Sequence, residues 1–300
     1  MNRIKDEVLS GRLLVSDGAW GTFLHQKGLK PGECPEYWNI IRPNDVLDIA
    51  TSYINAGADM IETNSFGGNR FKLKRYGMED KTVAINEAAA RISRQAAGLQ
   101  KHVLGSVGPT GIILLLGDVS PEELYDAFRE QAMALETGGA DTIIVETMSD
   151  LEEAVIAVKA AKENTTCEVI CTMTFEKTQS GEYKTMMGVS PADIPIKLQE
   201  AGADIIGSNC GNGTKAMIDI TRELRSVSKE IPLIIQGNAG MPKYIHGSTV
   251  FQETPEETAG YVPDLIEAGA NIIGGCCGTT PEHIRLIAEI ISITKKWPHP

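Results

Sequence analysis

Three cysteines stand in settings that suit chemistry better than packing. Cys276 and Cys277 are adjacent within Gly274-Gly275-Cys276-Cys277-Gly278, and Cys210 lies within Ser208-Asn209-Cys210-Gly211. Three thiolates suit zinc, which takes sulfur and nitrogen ligands tetrahedrally with Zn–S near about 2.3 Å. Three protein ligands leave one position open, as a catalytic zinc requires. Neighbouring residues of a strand point to opposite faces, so both sulfurs can reach one ion only through an unusual backbone. Gly274, Gly275 and Gly278 permit one. The competing reading is that a buried cysteine acts as a small apolar side chain. That reading fits Cys34, Cys167 and Cys171, which lack such a setting. A disulfide between adjacent cysteines is strained and ranks below both.

Other polar residues gather at the ends of apolar runs. In Asp17-Gly18-Ala19-Trp20-Gly21-Thr22, the amides of Gly18 and Ala19 could hold a carboxylate, or form a plain tight turn. Glu62-Thr63-Asn64 and Glu146-Thr147 offer carboxylates for an ammonium group or for a structural ion pair. Ser106 and Asn238 end two further runs. His25, His102, His246, His283 and His299 are scattered and receive no role. Trp20, Tyr37 and Trp38 suit either a pocket wall or the core.

What must position these residues is written in a repeat. Ala56-Gly57-Ala58-Asp59, Gly138-Gly139-Ala140-Asp141, Ala201-Gly202-Ala203-Asp204 and Ala268-Gly269-Ala270-Asn271 each follow a helix-like stretch and precede an apolar run. This reads as a helix stopped at glycine and a tight turn into a buried strand. Eight strands are expected, at Leu13–Asp17, Asp59–Thr63, Val103–Val107, Asp141–Glu146, Glu168–Phe175, Asp204–Asn209, Pro232–Gly237 and Asn271–Gly275. Helices are expected at Asp45–Ala56, Thr82–Gly98, Ser120–Thr137, Asp150–Glu163, Ser190–Ala201, Thr214–Ser228, Thr254–Ala268 and Pro281–Lys295. Ser120, Thr254 and Thr280, each followed by proline and acid, carry N-cap chemistry. Eight strand–helix units predict a (β/α)8 TIM barrel over residues 1–300 as one domain. A doubly wound open sheet shares the alternation but would spread the reactive strand ends along a line. The long connections Gly18–Asn44, Asn64–Lys81, Glu176–Val189 and Asn238–Glu253 all follow strands, so they belong to the reactive face.

Composition narrows the function. The 300 residues carry a net charge of -12, which argues against a nucleic-acid partner. No apolar run approaches the roughly 20 residues needed to span a membrane. Met1 to Ser10 lack the apolar core of a signal peptide. A cytoplasmic location follows as an expectation, and there six cysteines serve as thiols or metal ligands rather than disulfides.

Together these blocks resemble the homocysteine S-methyltransferases. Within that family the chain is most similar to the homocysteine-binding module of cobalamin-dependent methionine synthases. The resemblance runs from about Leu13 to Ile293 and rests on the blocks around Asp17, Glu146, Cys210 and Cys276. It rests also on Glu62-Thr63-Asn64-Ser65-Phe66-Gly67-Gly68-Asn69, Gly105-Ser106-Val107-Gly108-Pro109-Thr110-Gly111 and Asn238-Ala239-Gly240. It implies zinc on Cys210, Cys276 and Cys277, a homocysteine carboxylate on Gly18 and Ala19, and its ammonium near Glu146. It places Asn238 where the zinc can find an oxygen ligand before substrate arrives. Zinc would deprotonate the substrate thiol, and the sulfur would attack the donor methyl in line. Two positions depart from that branch: Gly237 stands where it often has Pro, and Trp20 where it often has Met. The folate, cobalamin and reactivation modules are missing from these residues, so methylcobalamin or another methylcorrinoid is expected on a separate protein or module. The alternatives are a donor such as betaine or S-methylmethionine, or a non-catalytic zinc-binding barrel.

Overall fold

The computed structural model describes residues 2–245 and 248–294. His246, Lys295 (expected as the last residue of the final helix) and His299 lie outside the described residues. Eight parallel strands form a nearly closed barrel wrapped by helices. They are β1 (Leu14–Val15), β2 (Met60–Glu62), β3 (His102–Val107), β4 (Thr142–Met148), β5 (Glu168–Met173), β6 (Ile205–Gly213), β7 (Leu233–Asn238) and β8 (Ile272–Gly275). From β2 to β8 each strand pairs with its neighbour in sequence, and β8 pairs with β1, which excludes the open-sheet alternative. No ladder joins β1 to β2; there the seam is closed by the Asp59 N–H donating to Val15 O at 2.8 Å.

The repeat explains how the strands are fastened. Gly57, Gly139, Gly202 and Gly269 adopt φ of 104°, 109°, 108° and 109°, the left-handed conformation that ends each helix. The Asp or Asn two residues later immediately precedes an even-numbered strand, and its side chain reaches back to the preceding strand. Asp59 accepts from Val15 N–H at 3.0 Å, and Asp141 from Val103 N–H at 3.2 Å. Asp204 accepts from Val169 N–H at 3.0 Å, and Asn271 from Leu233 N–H at 2.9 Å.

Inward-facing residues recur with period two. Their lowest layer is apolar: Leu14, Met60, Leu104, Ile144, Ile170, Ile205, Ile234 and Ile272 cluster with Ile4 and Val8. Ile4 and Val8 belong to an N-terminal helix, Ile4–Leu9, which plugs the barrel floor. Buried Glu168 caps that helix, accepting from the Ile4 and Lys5 N–H groups at 2.5 and 3.0 Å. Two residues further along each strand, the same faces present Ser16, Glu62, Ser106, Glu146, Thr172, Gly207, Gln236 and Gly274. The floor is oily and the layer above it is polar.

The surrounding helices are α1 (Pro43–Asn55), α2 (Thr82–Ala97), α3 (Pro121–Gly138), α4 (Leu151–Asn164), α5 (Ile194–Ala201), α6 (Thr214–Val227), α7 (Pro255–Ala268) and α8 (Pro281–Ile293). Capping boxes at Ser120, Thr254 and Thr280 start α3, α7 and α8. The long connections hold structure that apolar periodicity does not reveal. Hairpins Glu176–Lys177 with Tyr183–Lys184, and Lys243–Ile245 with Ser248–Val250, follow β5 and β7. Among the described residues no helix is long and apolar enough to cross a membrane.

Candidate active site

The cysteines meet at the C-terminal mouth of the barrel, where loops carry the chemistry of this architecture. Sulfur atoms of Cys210, Cys276 and Cys277 all lie within 4.8 Å of one another, with Cys210 and Cys277 at 3.9 Å. Tetrahedral ligation with Zn–S near about 2.3 Å spaces sulfurs by about 3.8 Å, so the cluster has the dimensions of a three-thiolate zinc site. The strand-alternation problem is avoided because β8 stops at Gly275, leaving the cysteine pair in a turn. The turn is closed by Thr279, whose N–H and hydroxyl both donate to Cys276 O, at 3.1 and 2.7 Å. A Cβ on Gly275 would sit 2.3 Å from Thr279 Oγ1, and Gly278 takes φ +80°. The pair therefore needs glycine for close approach at one position and for backbone conformation at the other.

Cys210 itself adopts φ 58°, one of two positive-φ residues other than glycine among those described; the other is Thr147, at φ 60°. A β-branched residue in that region is strained, and both positions fall at irregularities of β6 and β4. Asn209 holds the two together. Its Oδ1 accepts from Thr147 N–H and Thr172 Oγ at 2.8 Å each. Its Nδ2 donates to Thr147 Oγ1 at 2.8 Å and Glu146 Oε2 at 3.1 Å. Hydrogen bonds from the Cys276 and Cys277 thiols push the Cys210 thiol down to about 3, while the hydrogen bond with Cys210 is the main influence pushing Cys277 up to about 12. The cluster readily holds one thiolate; removing the remaining protons calls for a cation. Asn238 Oδ1 is buried with no hydrogen-bond partner among the described residues, a spare oxygen at the end of β7.

Three carboxylates stand beside the thiols with no basic side chain among the cavity's lining residues. Burial pushes Asp17 up to about 6 and Glu146 up to about 7. Burial, with Glu146 and Asp17 nearby, pushes Glu62 well above the usual carboxylate range. Asp17 Oδ2 accepts from Trp20 Nε1 and Glu62 N–H at 3.0 Å each. Glu62 Oε1 accepts from Gln236 Nε2 at 2.8 Å, and Glu146 Oε1 accepts from Ser106 Oγ. Burial favours the protonated forms of these acids, and a bound cationic group would favour their ionised forms, so the site suits a cation. Apart from Asp17, which lies outside the lining, these residues line a cavity of about 400 Å³, inside the range of about 300–1,000 Å³ found for small-molecule sites.

The cavity brings together Gly18, Ala19, Glu62, Asn64, Ser106, Glu146 and the three cysteines, and Asp17, outside the lining, accepts from the Glu62 N–H. Two of them face other groups. The Ala19 N–H donates to Thr279 Oγ1 at 3.1 Å, whereas the Gly18 N–H has no hydrogen-bond partner among the described residues. The Asn64 Nδ2 group donates to Pro35 O and Asn39 Oδ1 at 2.8 and 3.1 Å, anchoring the first connection. Trp20 lines the cavity, whereas Trp38 is buried in the core beneath Arg42. Cys34, Cys167 and Cys171 are buried away from the site. Sequence reasoning missed Asn209 and Gln236. The signal for Gln236 was its place on the inward face, two residues after Ile234.

Comparison with known proteins places this geometry in a family. Residues 14–291 match the family model described as homocysteine S-methyltransferase. A methionine synthase of Mycobacterium tuberculosis is 33% identical over 308 residues, covering 97% of this chain but 25% of its own length. That of Mycobacterium leprae is 33% identical over 304 residues, covering 95% and 25%. The chain thus spans about a quarter of the length of these curated relatives. Among solved structures, the metallated form of the homocysteine methyltransferase MmuM from Escherichia coli shares the fold. Its TM-score is 0.77 at 22% identity, covering 96% of this chain and 99% of that one.

Proposed function

We propose a specific reaction for this chain, which belongs to the homocysteine S-methyltransferase family: zinc-dependent methylation of the homocysteine thiol to methionine, with the methyl group supplied by methylcobalamin or another methylcorrinoid on a separate protein or module. The observation that carries this reading is the meeting, in one cavity without a basic side chain in its lining, of three convergent sulfurs and the buried acids Glu62 and Glu146, with Asp17 hydrogen-bonded to the Glu62 backbone. Cys210, Cys276 and Cys277 would hold the zinc, and Asn238 would offer it an oxygen. Zinc bound there supplies the Lewis acidity that keeps a substrate thiol deprotonated at neutral pH. Glu146, oriented by Ser106 and Asn209, would accept the substrate ammonium. The Gly18 amide would donate to its carboxylate. Asp17 and Glu62 extend the negative wall, and Trp20 and Phe66 exclude water. The whole chain, 1–300, would act as one homocysteine-binding domain, and its free thiols suit the reducing cytoplasm.

The block Glu62–Asn69, which resembles the cobalamin-dependent branch, supports a corrinoid donor, and the name methionine synthase of the longer relatives supports methionine as the product. A small cationic donor, betaine or a sulfonium, is the second reading, favoured by the acidic lining and by two aromatic residues, Trp20 and Phe66. The test is methionine formation from homocysteine with methylcobalamin, betaine or S-methylmethionine, alongside zinc content of wild type and the three Cys→Ser variants. Turnover with methylcobalamin, lost together with zinc in Cys276→Ser, supports the proposal. Turnover with betaine or the sulfonium alone promotes the second reading. A fourth protein ligand that substrate cannot displace would make the zinc structural.

A further inference from the structure

One buried acceptor in the cavity lacks a donor. Gln236, near the end of β7, is 2% exposed and lines the site, and its Oε1 makes no hydrogen bond with any described residue. Three other buried side-chain oxygens among the described residues share that condition, on Gln131, Ser208 and Asn238. None of those three residues lines the cavity. A buried oxygen without a donor costs free energy, so the site favours a ligand that supplies one.

The other half of the amide fixes where that oxygen points. Gln236 Nε2 donates to Glu62 Oε1 at 2.8 Å and to Ser16 Oγ at 3.3 Å, which uses both of its hydrogens. Ser16 Oγ donates in turn to Asp17 Oδ1 at 3.3 Å. Strands β2 and β7 are not neighbours in the sheet, so the contact between Gln236 and Glu62 crosses the barrel interior. With Glu62 ionised, turning the amide over would set its carbonyl against the carboxylate. Oε1 is therefore held away from Glu62, with its lone pairs unused.

The chemistry of the substrate identifies the donor. Homocysteine bound as a thiolate brings a deprotonated sulfur and a carboxylate, and both only accept. Its ammonium is the one donor group it carries, and it has three N–H bonds to place. Glu146 alone does not surround such a group.

We propose that Gln236 is a specificity-determining residue whose Oε1 accepts an N–H of the substrate ammonium beside Glu146, so that the site selects an α-amino thiol over a thiol acid of the same length. This rests on the homocysteine reading above. The acids attract any cation of suitable size, whereas a neutral oxygen held in one direction requires an N–H aimed at it. A site built around such a bond rejects the analogue that lacks the donor, because the buried oxygen is then left unpaired.

The test is calorimetric titration of the zinc-loaded protein with homocysteine and with 4-mercaptobutanoate, which keeps the thiol and carboxylate but has no ammonium. Gln236→Met, close in length but without the acceptor, should weaken homocysteine binding by about tenfold. Its affinity for 4-mercaptobutanoate, its zinc content and its melting temperature should stay at the wild-type values. The loss for homocysteine should persist in a Glu62→Gln background, which separates a contact by Gln236 itself from an effect passed through Glu62. Gln236→Glu, which retains an oxygen at the same reach, should bind homocysteine no more weakly than wild type, and it carries the test if Gln236→Met does not fold. An equal loss for both ligands, no loss for homocysteine, or a loss that vanishes in the Glu62→Gln background would overturn the role of Gln236 while leaving the homocysteine reading intact. Gln236→Glu binding homocysteine as weakly as Gln236→Met would do the same. A zinc-loaded wild type that binds neither ligand would remove the homocysteine reading and the role of Gln236 together.

Discussion

The two ends of this barrel treat buried carboxylates in opposite ways. At the floor, Glu168 is 4% exposed and accepts two backbone N–H groups from the plugging helix. At the mouth, Glu62 and Glu146 are each 6% exposed and stand among other acids and thiols. The floor acid completes a structure, whereas the mouth acids remain uncompensated until a cation arrives. Residue type and burial are the same; what differs is whether the fold supplies the partner. A buried charge that the fold leaves unmatched costs stability and is retained where it serves binding.

The sharpest way to break this comparison is to remove a mouth thiol. Cys276→Ser should lower methyl transfer by more than about a hundredfold, beyond what loss of a supporting group costs, while melting stays within a few degrees of wild type. Full zinc content with full activity would remove the cysteines from the site. The converse change is at the floor. Ile144→Ala, in the apolar layer, should cost about 2–5 kcal/mol of stability with little effect on KM for homocysteine. An unchanged melting temperature there would mean that the inner layer does not set the stability of the barrel.

Glu146→Gln is expected to act between these extremes. Loss of a charge-assisted contact to the substrate ammonium should weaken homocysteine binding by about 1.5–3 kcal/mol, roughly tenfold or more. The fold should not suffer. With its carboxyl pushed up to about 7, the folded state keeps a proton that the unfolded chain releases near the ordinary glutamate value of 4.5. This group's contribution to stability is therefore lost as pH rises from about 4.5 to about 7. Above that window Glu146→Gln should melt no lower than wild type, and the rise of homocysteine affinity through pH 7 should flatten. Unchanged affinity with a lowered melting temperature would make Glu146 a structural residue.

The smallest effect belongs to the floor again. At His102, burial lowers the pKa most, but Asp141 and Glu7 together raise it above 6.5. Its stabilisation is full below 6.5 and fades as pH rises through the folded value. His102→Gln should cost about 1 kcal/mol or less at pH 6 and nothing measurable at pH 9. An equal cost at both pH values would assign the role of His102 to packing alone.

Much of this arrangement was legible in the sequence because it rests on local rules. The four Gly-Ala-Asp/Asn turns announced helix ends and strand starts, and the glycine frame singled out Cys276 and Cys277 from three ordinary cysteines. What the sequence withheld depends on contacts distant in the chain. Engagement of the Ala19 amide by Thr279 spans 260 residues. Nothing near Asn209 reveals that it bridges Thr147, Thr172 and Glu146. The left-handed conformation of Cys210 could be suspected only because Gly211 follows it. The hairpins after β5 and β7 are too short and too polar to show a period.

The side-chain fastening at the floor has a counterpart at the mouth. A fastening residue, Asp59, Asp141, Asp204 or Asn271, immediately precedes every even-numbered strand, and each of these strands carries Glu62, Glu146, Cys210 or the Cys276–Cys277 turn at or near its far end. Odd-numbered strands contribute Ser106, Thr172 and Gln236 between them, with Asp17 and Asn238 as the exceptions. Alternate strands share a layer in this architecture, so each reactive side chain is separated from the next by one spacer strand, about 9–10 Å at the backbone. The barrel thus divides its labour by parity: the strands whose roots are tied by side chains are those that bear the chemistry near their tips, and their side chains converge over the strands between them. A substitution that loosens a root, such as Asp204→Ala, would therefore be expected to register at Cys210 before it registers on β5 or β7.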